Sequence, residues 1–433
     1  ALVAIALSAP VGVSLAQAPL PQFDRVLLLE TTSETSANAS IGDVNGDGKP
    51  DIMLAKGRHW PLIDRLLLGD GKGGFAPATD LGTASDRSYA ARLVDLDGDG
   101  DLDVVLSNDR PDPSLVYLND GKGHFTVGST FGKAEWPTRN ASVADVNGDG
   151  QPDIIVANRY GKNPGGNYLC LNRGAGRFDD QCLRFSQESA TTITPADVNR
   201  DGLVDLIVPH RDGGQSMVYM QQPRTGAEPT FTGVPFGPAD AAIRASASGD
   251  FNGDGHDDLV AFAYGSDLAC VHLMNAATGA IGAAQSIALY SNSISASAGD
   301  FDLDGYADLI SIHSGGTFAL RTYNDKTNSF TSNLTHTVNM NGTTSATTLA
   351  YLTAGVFANN STTFSAVVTD LFGHSTPLSW VNASGITENT NHFDGLGSQP
   401  IAGDVDGDGD IDFIGTNQQG YTIALNMGLQ WNA

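Results

Sequence analysis

One nine-residue pattern, Asp-x-Asp/Asn-x-Asp-Gly-x-x-Asp, recurs seven times, starting at Asp43, Asp95, Asp145, Asp197, Asp250, Asp300 and Asp404. Its side chains at positions one, three, five and nine are all oxygen donors. They are Asp43, Asn45, Asp47 and Asp51; Asp95, Asp97, Asp99 and Asp103; Asp145, Asn147, Asp149 and Asp153; and Asp197, Asn199, Asp201 and Asp205. The later copies carry Asp250, Asn252, Asp254 and Asp258; Asp300, Asp302, Asp304 and Asp308; and Asp404, Asp406, Asp408 and Asp412. With a backbone carbonyl at position seven, such a loop offers one hard cation five or more oxygens, the number and chemistry that Ca2+ prefers. Glycine at position six allows the sharp turn. An EF-hand needs flanking helices and a Glu at position twelve, where the first copy has Leu54. Acidic turns without a cation would repel themselves strongly. The loops hold 27 of the 49 acidic residues, and seven Ca2+ ions would bring the formal charge from −26 to −12.

The elements that position these loops follow from the spacing. Successive copies start 52, 50, 52, 53 and 50 residues apart and then 104 apart, so one unit between Asp300 and Asp404 lacks its acidic loop. In that unit, from Thr347 to Phe393, Asn359, Asn360 and Ser361 stand in the loop's place. Each unit contains four short β-rich runs, for example ASVAD before and DIIVAN after the third motif. Units of this length that bury one face against each neighbour stack radially and close on themselves. The expected fold is therefore all-β: an eight-bladed β-propeller of four-stranded blades, or seven-bladed if the Thr347 unit is an insertion. Residues after Asp404 supply three strands, and FDRVLLLE from Phe23 is an orphan strand expected to complete the last blade.

Residues 1–18, uncharged and ending in Ala-Gln-Ala, resemble the apolar and cleavage regions of a secretory signal peptide. They are read as part of a precursor or as a retained segment that adds to a neighbour and assists self-assembly. The expectation is an exported protein, extracellular or periplasmic, with 19–433 as a single domain and no second stretch of membrane-spanning length. The strong acidity excludes nucleic acid as a partner. Cys170 and Cys182 fall on neighbouring strands of one unit and suit a disulfide, whereas Cys270 reads as a core thiol.

With the companion runs LGDGKGGF from Leu68 and LNDGKGHF from Leu118, these units resemble the FG-GAP and VCBS repeats of integrin α-subunit propellers and many exported bacterial proteins. The resemblance covers nearly the whole chain after Pro19 and implies calcium loops on one face and ligands on the other. Strand alternation agrees, because second-to-third loops and the connections between blades leave by the end opposite to the motif.

Those connections carry Arg58, His59 and Trp60; Arg87 and Tyr89; Arg110; Trp136 and Arg139; Arg159 and Tyr160; Glu188; and Arg211 beside His210. Six arginines in four consecutive units, from a chain with 23 basic residues, point to an anion. Trp60 and Trp136 offer flat apolar faces for sugar rings, which favours an acidic polysaccharide, with an extracellular protein as the alternative partner. Three functions stay open: a binding propeller, a polysaccharide lyase, and a structural or adhesive subunit of an extracellular assembly. Lyase propellers have a similar layout; on that analogy His59, His210, Tyr89 and Tyr160 are the acid and base candidates, with arginines neutralising a uronate carboxylate.

Overall fold

A computed structural model describes residues 25–29, 34–163, 165–224, 226, 228–263, 268–275, 279–288, 293–301, 305–313, 317–324, 329–337, 350–355, 364–370, 374–380, 386–388, 393–394, 398–406, 412–417 and 420–425. The signal-like segment 1–18, Asp302, Asp304, Asp408, and the Asn359 to Ser361 turn lie outside the described residues. Among those described, every regular element is a β-strand, and no helix is long and apolar enough to cross a membrane.

Six consecutive four-stranded antiparallel sheets span 36–80, 88–131, 138–186, 194–236, 243–288 and 293–337. In the first, Ser36–Gly42, Asp51–Lys56, Arg65–Leu67 and Thr79–Asp80 pair in chain order. Farther along, Ala350–Gly355, Phe364–Asp370, His374–Trp380 and Ile386–Glu388 pair in order, and Phe393–Asp394 also pairs with His374–Trp380. The last strands, Ser398–Gly403, Asp412–Asn417 and Gly420–Leu425, are joined by Arg25–Leu28, which runs antiparallel to Gly420–Leu425.

The second strand of each sheet explains the stacking. Asp51–Lys56, Asp103–Asn108 and Asp153–Asn158 are buried along their whole length, as a strand covered on both faces must be. Alternate side chains serve opposite neighbours. Met53 and Ala55 pack with Val104, Leu106 and Tyr117 of the second sheet, while Ile52 and Leu54 pack with Val405 and Ile414 near the other end of the chain. Burying one such Leu or Ile contributes about 1.5–3 kcal/mol, and this interdigitation repeats between sheets.

The first strand of several sheets begins with a register shift, between Ser36 and Asn38, Ser88 and Ala90, and Thr138 and Asn140. The residues left unpaired by the second and third shifts are Tyr89 and Arg139. A bulge re-aims the side chain of its extra residue, so both leave the sheet pattern at its end. Cys170 and Cys182 form a disulfide with Cα atoms 4.3 Å apart, and Cys270 is a buried free thiol.

Candidate functional site

Two groups of residues with chemical potential lie at opposite ends of the strands. The acidic motifs connect first to second strands, and the arginine-bearing segments connect second to third strands or one sheet to the next.

Among the described residues, the acidic loops are folded by their own carboxylates. Asp43 accepts backbone N–H bonds from Gly46 at 2.8 Å, Asp47 at 3.2 Å and Gly48 at 2.7 Å. Asp145, Asp197 and Asp250 accept from positions five and six in the same way. The third-position side chain caps the fifth residue, as Asn45 does for Asp47 at 3.0 Å. Carboxylate oxygens of Asp95, Asp97 and Asp99 lie within 4.8 Å of one another, as do those of Asp404, Asp406 and Asp412. The first loop gathers positions one, three and five and the second gathers positions one, three and nine, each an all-oxygen set of the chemistry that Ca2+ takes.

Position nine has a second duty. Asp51, Asp153, Asp205 and Asp258 are fully buried. One oxygen of Asp51 accepts the N–H of Val44 at 3.0 Å and the other that of Gly69 at 2.8 Å, pinning the loop to the third strand. Burial pushes the pKa values of Asp103, Asp153 and Asp205 up to about 6 and that of Asp258 to about 7, and the neighbouring loop carboxylates add to the rise. A bound cation would offset this penalty directly.

At the other end, Gly57 (φ 99°) and Arg58 (φ 50°) turn the chain sharply after the second strand. A Cβ on Gly57 would meet the Trp60 carbonyl at 2.1 Å, so only glycine fits. The turn sends His59 toward the bulged Tyr89 of the next sheet. The Tyr89 hydroxyl lies 2.9 Å from Nδ1 and 3.1 Å from Nε2 of His59. The Arg139 guanidinium carbon is 4.3 Å from the Tyr89 ring centre, and that of Arg58 is 5.6 Å away. Burial, then Arg58, Arg139 and Arg159, hold the His59 imidazole below its usual pKa, while burial raises the Tyr89 phenol.

Carboxylates brace this cluster across sheets. Asp109 holds Arg139 at 2.6 Å, and Asp212 takes Arg159 through Nε at 3.1 Å and Nη2 at 2.7 Å. Asp212 also accepts from the Ser189 hydroxyl at 2.7 Å; mainly because of Arg159, its pKa falls to about 2. Arg87 pairs with Asp112 at 2.8 Å. Arg58 and Arg110 are exposed and have no carboxylate within 4 Å among the described residues.

Arg58, His59, Tyr89, Arg139 and Arg159 thus come together, and Trp60, in the same turn as Arg58 and His59, is 64 % exposed. The remaining residues are placed elsewhere or otherwise engaged. Trp136 is buried and stacked on Tyr168 at 4.0 Å, inside the core between the second and third sheets. Glu188 accepts the Tyr219 hydroxyl at 2.8 Å. Tyr160 is half-buried, and its ring covers Gly165. Arg211 donates its backbone N–H to Ser189 and adds to the positive field on Asp212. His210 lines a separate cleft of about 600 Å³ with Lys162, Gln187, Ser189 and Asp240. Its backbone N–H is held by Ser216 at 2.9 Å, as Ser114 holds that of Asn108 at 3.1 Å. Sequence reasoning did not find the clamp partners Asp109 and Asp212 for Arg139 and Arg159. Their only signal in the sequence is an Asp beside an Arg in each loop, Asp109 before Arg110 and Asp212 after Arg211, which does not say which arginine each one holds.

Repeated four-stranded antiparallel sheets, each with an acidic turn between its first two strands, define a β-propeller. Solved structures agree at the level of fold. The Dos1 propeller aligns with a TM-score of 0.59 at 12% identity, covering 93% of this chain and 94% of that one. The BP39L lectin from Burkholderia pseudomallei aligns with a TM-score of 0.51 at 11% identity, covering 84% and 99%. No curated protein matches the chain. The FG-GAP-like repeat matches residues 43–106, 95–156, 145–208 and 250–311, and the chain belongs to that family.

Proposed function

We propose that the chain is an exported, calcium-loaded propeller of eight blades that binds an acidic carbohydrate where Arg58, His59, Tyr89, Arg139 and Arg159 meet. The observation that carries this reading is the Tyr89 ring with the Arg139 and Arg58 guanidinium groups over it at 4.3 and 5.6 Å, Arg58 having no carboxylate partner among the described residues and Trp60 exposed in the same turn. A free guanidinium fork suits a carboxylate, and an exposed indole suits the apolar face of a sugar ring. In a chain of formal charge −26, such a patch is selective for anions.

Eight blades are supported by six complete sheets, the sheet begun by Ala350–Gly355, and the last three strands with Arg25–Leu28 added to their edge. Packing of Ile52 and Leu54 on Val405 and Ile414 supports closure of the ring and, with it, the reading of residues 19–433 as one domain. Export is supported by the disulfide, which persists in oxidising compartments. A binding role also agrees with the fold neighbours, one of which is a lectin.

A glycan array in millimolar Ca2+ tests the reading. Uronate-containing glycans should be retained and their neutral counterparts should not; retention of neutral glycans alone would refute it.

The contact between His59 and Tyr89 favours a second reading, a lyase. A neutral imidazole can take the proton beside a uronate carboxylate while Arg58 and Arg139 balance the developing charge. The protonated Tyr89 phenol then donates to the leaving glycosidic oxygen: the C–O bond breaks and a C=C bond forms. Turnover would release unsaturated uronides, visible by their ultraviolet absorbance, and His59→Ala would abolish it.

A further inference from the structure

The buried side of the acidic loops forms a continuous hydrogen-bonded relay that the spacing of the motifs does not show. In the first loop the N–H of Val44 goes to Asp51 at 3.0 Å, and the carbonyl of the same residue accepts the side-chain amide of Asn119 at 2.7 Å. Asn119 belongs to the next sheet, where its own backbone N–H goes to Asp103 at 2.9 Å. Asp103 in turn accepts Leu96 N–H at 2.9 Å, and the Leu96 carbonyl accepts the amide of Asn172 at 2.8 Å. Asn172 donates its backbone N–H to Asp153 at 2.9 Å, and Asp153 also accepts that of Val146 at 3.1 Å. The Val146 carbonyl accepts the amide of Gln221 at 3.2 Å, and Gln221 donates its backbone N–H to Asp205 at 2.8 Å.

Every member of this chain is buried, with Asn119, Asn172 and Gln221 at 7 %, 5 % and 2 % exposure. A buried amide that loses its acceptor costs free energy, so one loop cannot rearrange without disturbing the next. The relay stops at both ends for a visible reason. The residue corresponding to Asn119 is Gly69 in the first sheet and Met274 in the fifth. Both still donate a backbone N–H to their own Asp, Met274 at 2.6 Å, but neither has an amide to reach back with.

We infer that the loops at 43–51, 95–103, 145–153 and 197–205 take up Ca2+ as one cooperative unit. Asn119, Asn172 and Gln221 couple them, and the loop at 250–258 fills independently. This rests on the calcium reading above. Ligation at positions one to five orders the second-position residue, whose carbonyl is the acceptor for the next sheet's amide; each filled loop therefore favours the filled form of its neighbour, a coupling free energy between sites.

The test is a calorimetric Ca2+ titration of the chelator-stripped full chain, with circular dichroism as the check on folding. Wild type should show a steep phase for the four coupled loops, with a Hill coefficient above one, apart from a shallower phase. Gln221→Met copies the residue the fifth sheet uses and should release one ion from the steep phase while keeping total stoichiometry. Asn172→Leu should split the steep phase into two pairs. An unchanged steep phase in Gln221→Met, or independent sites in wild type, would overturn the relay while leaving calcium binding intact. Absence of any Ca2+ binding to wild type would overturn the calcium reading and the relay with it.

Discussion

The Arg139 guanidinium stands 4.3 Å from the centre of the Tyr89 ring, and Asp109 on the intervening connection holds it there at 2.6 Å. Three successive sheets therefore fix the environment of His59, which touches Tyr89. The opposed charges make a signed prediction. Arg139→Ala removes a positive neighbour and should raise the His59 pKa toward its ordinary 6.5, while Asp109→Asn should lower it further. An NMR titration of the imidazole resonances reads both shifts, and shifts of the same sign in the two variants would contradict the geometry.

Removing calcium should destabilise the protein. Each site held about 100-fold above its Kd adds about 2.7 kcal/mol, so several sites together amount to a large fraction of a domain's stability. A thermal melt with excess EDTA should show a markedly lower Tm, restored by adding Ca2+. An unchanged melt would remove the metal from the account.

The metal-free protein should also have an unusual pH profile. Asp103, Asp153 and Asp205 have folded-state pKa values raised from 3.8 to about 6, and Asp258 to about 7. A raised folded pKa means that the native state holds its protons more tightly than the unfolded chain does. These groups therefore contribute stability below pH about 4 that is lost as pH rises through 6 to 7. Urea melts in EDTA should show stability falling across that window from these groups, and Ca2+ should suppress the fall. A rise across the same window in EDTA would contradict the assignment.

Much of this architecture was legible in the sequence because the acidic motif marks the same turn in each unit that carries it, and the apolar run after it, as in Asp51–Lys56, Asp103–Asn108 and Asp153–Asn158, is a strand buried on both faces. The orphan run beginning at Phe23 was placed by counting strands, and Arg25–Leu28 does pair with Gly420–Leu425. Individual side chains at the opposite end were harder to place, since loop residues of similar composition differ in direction. Trp136 read as an exposed platform, yet the Tyr168 ring covers it. Lys56, two residues before Arg58, is a cation of a different kind: it ends a second strand fully buried, 3.6 Å from Glu34. Tyr89 and Arg139 reach the site through bulges that alternation alone does not reveal. The coupling amides were hidden because Asn119 and Asn172 sit among turn-forming residues, where asparagine is ordinary.

The burial of Trp136 gives a separate test of structural against binding roles. Trp136→Ala empties a core position between two sheets and should cost about 3–5 kcal/mol. Glycan affinity of the folded fraction should stay within a few-fold of wild type. Loss of affinity without loss of stability would place Trp136 at the ligand instead.

The most direct measurement is the affinity of a uronate oligosaccharide for wild type and for the Arg58→Ala and Tyr89→Phe variants, by calorimetry in Ca2+. Arg58→Ala should weaken binding about tenfold or more, as losing a charge-assisted contact of about 1.5–3 kcal/mol requires. Tyr89→Phe keeps the ring and should weaken it less. Equal affinity in wild type and Arg58→Ala would contradict a ligand site at this end of the propeller.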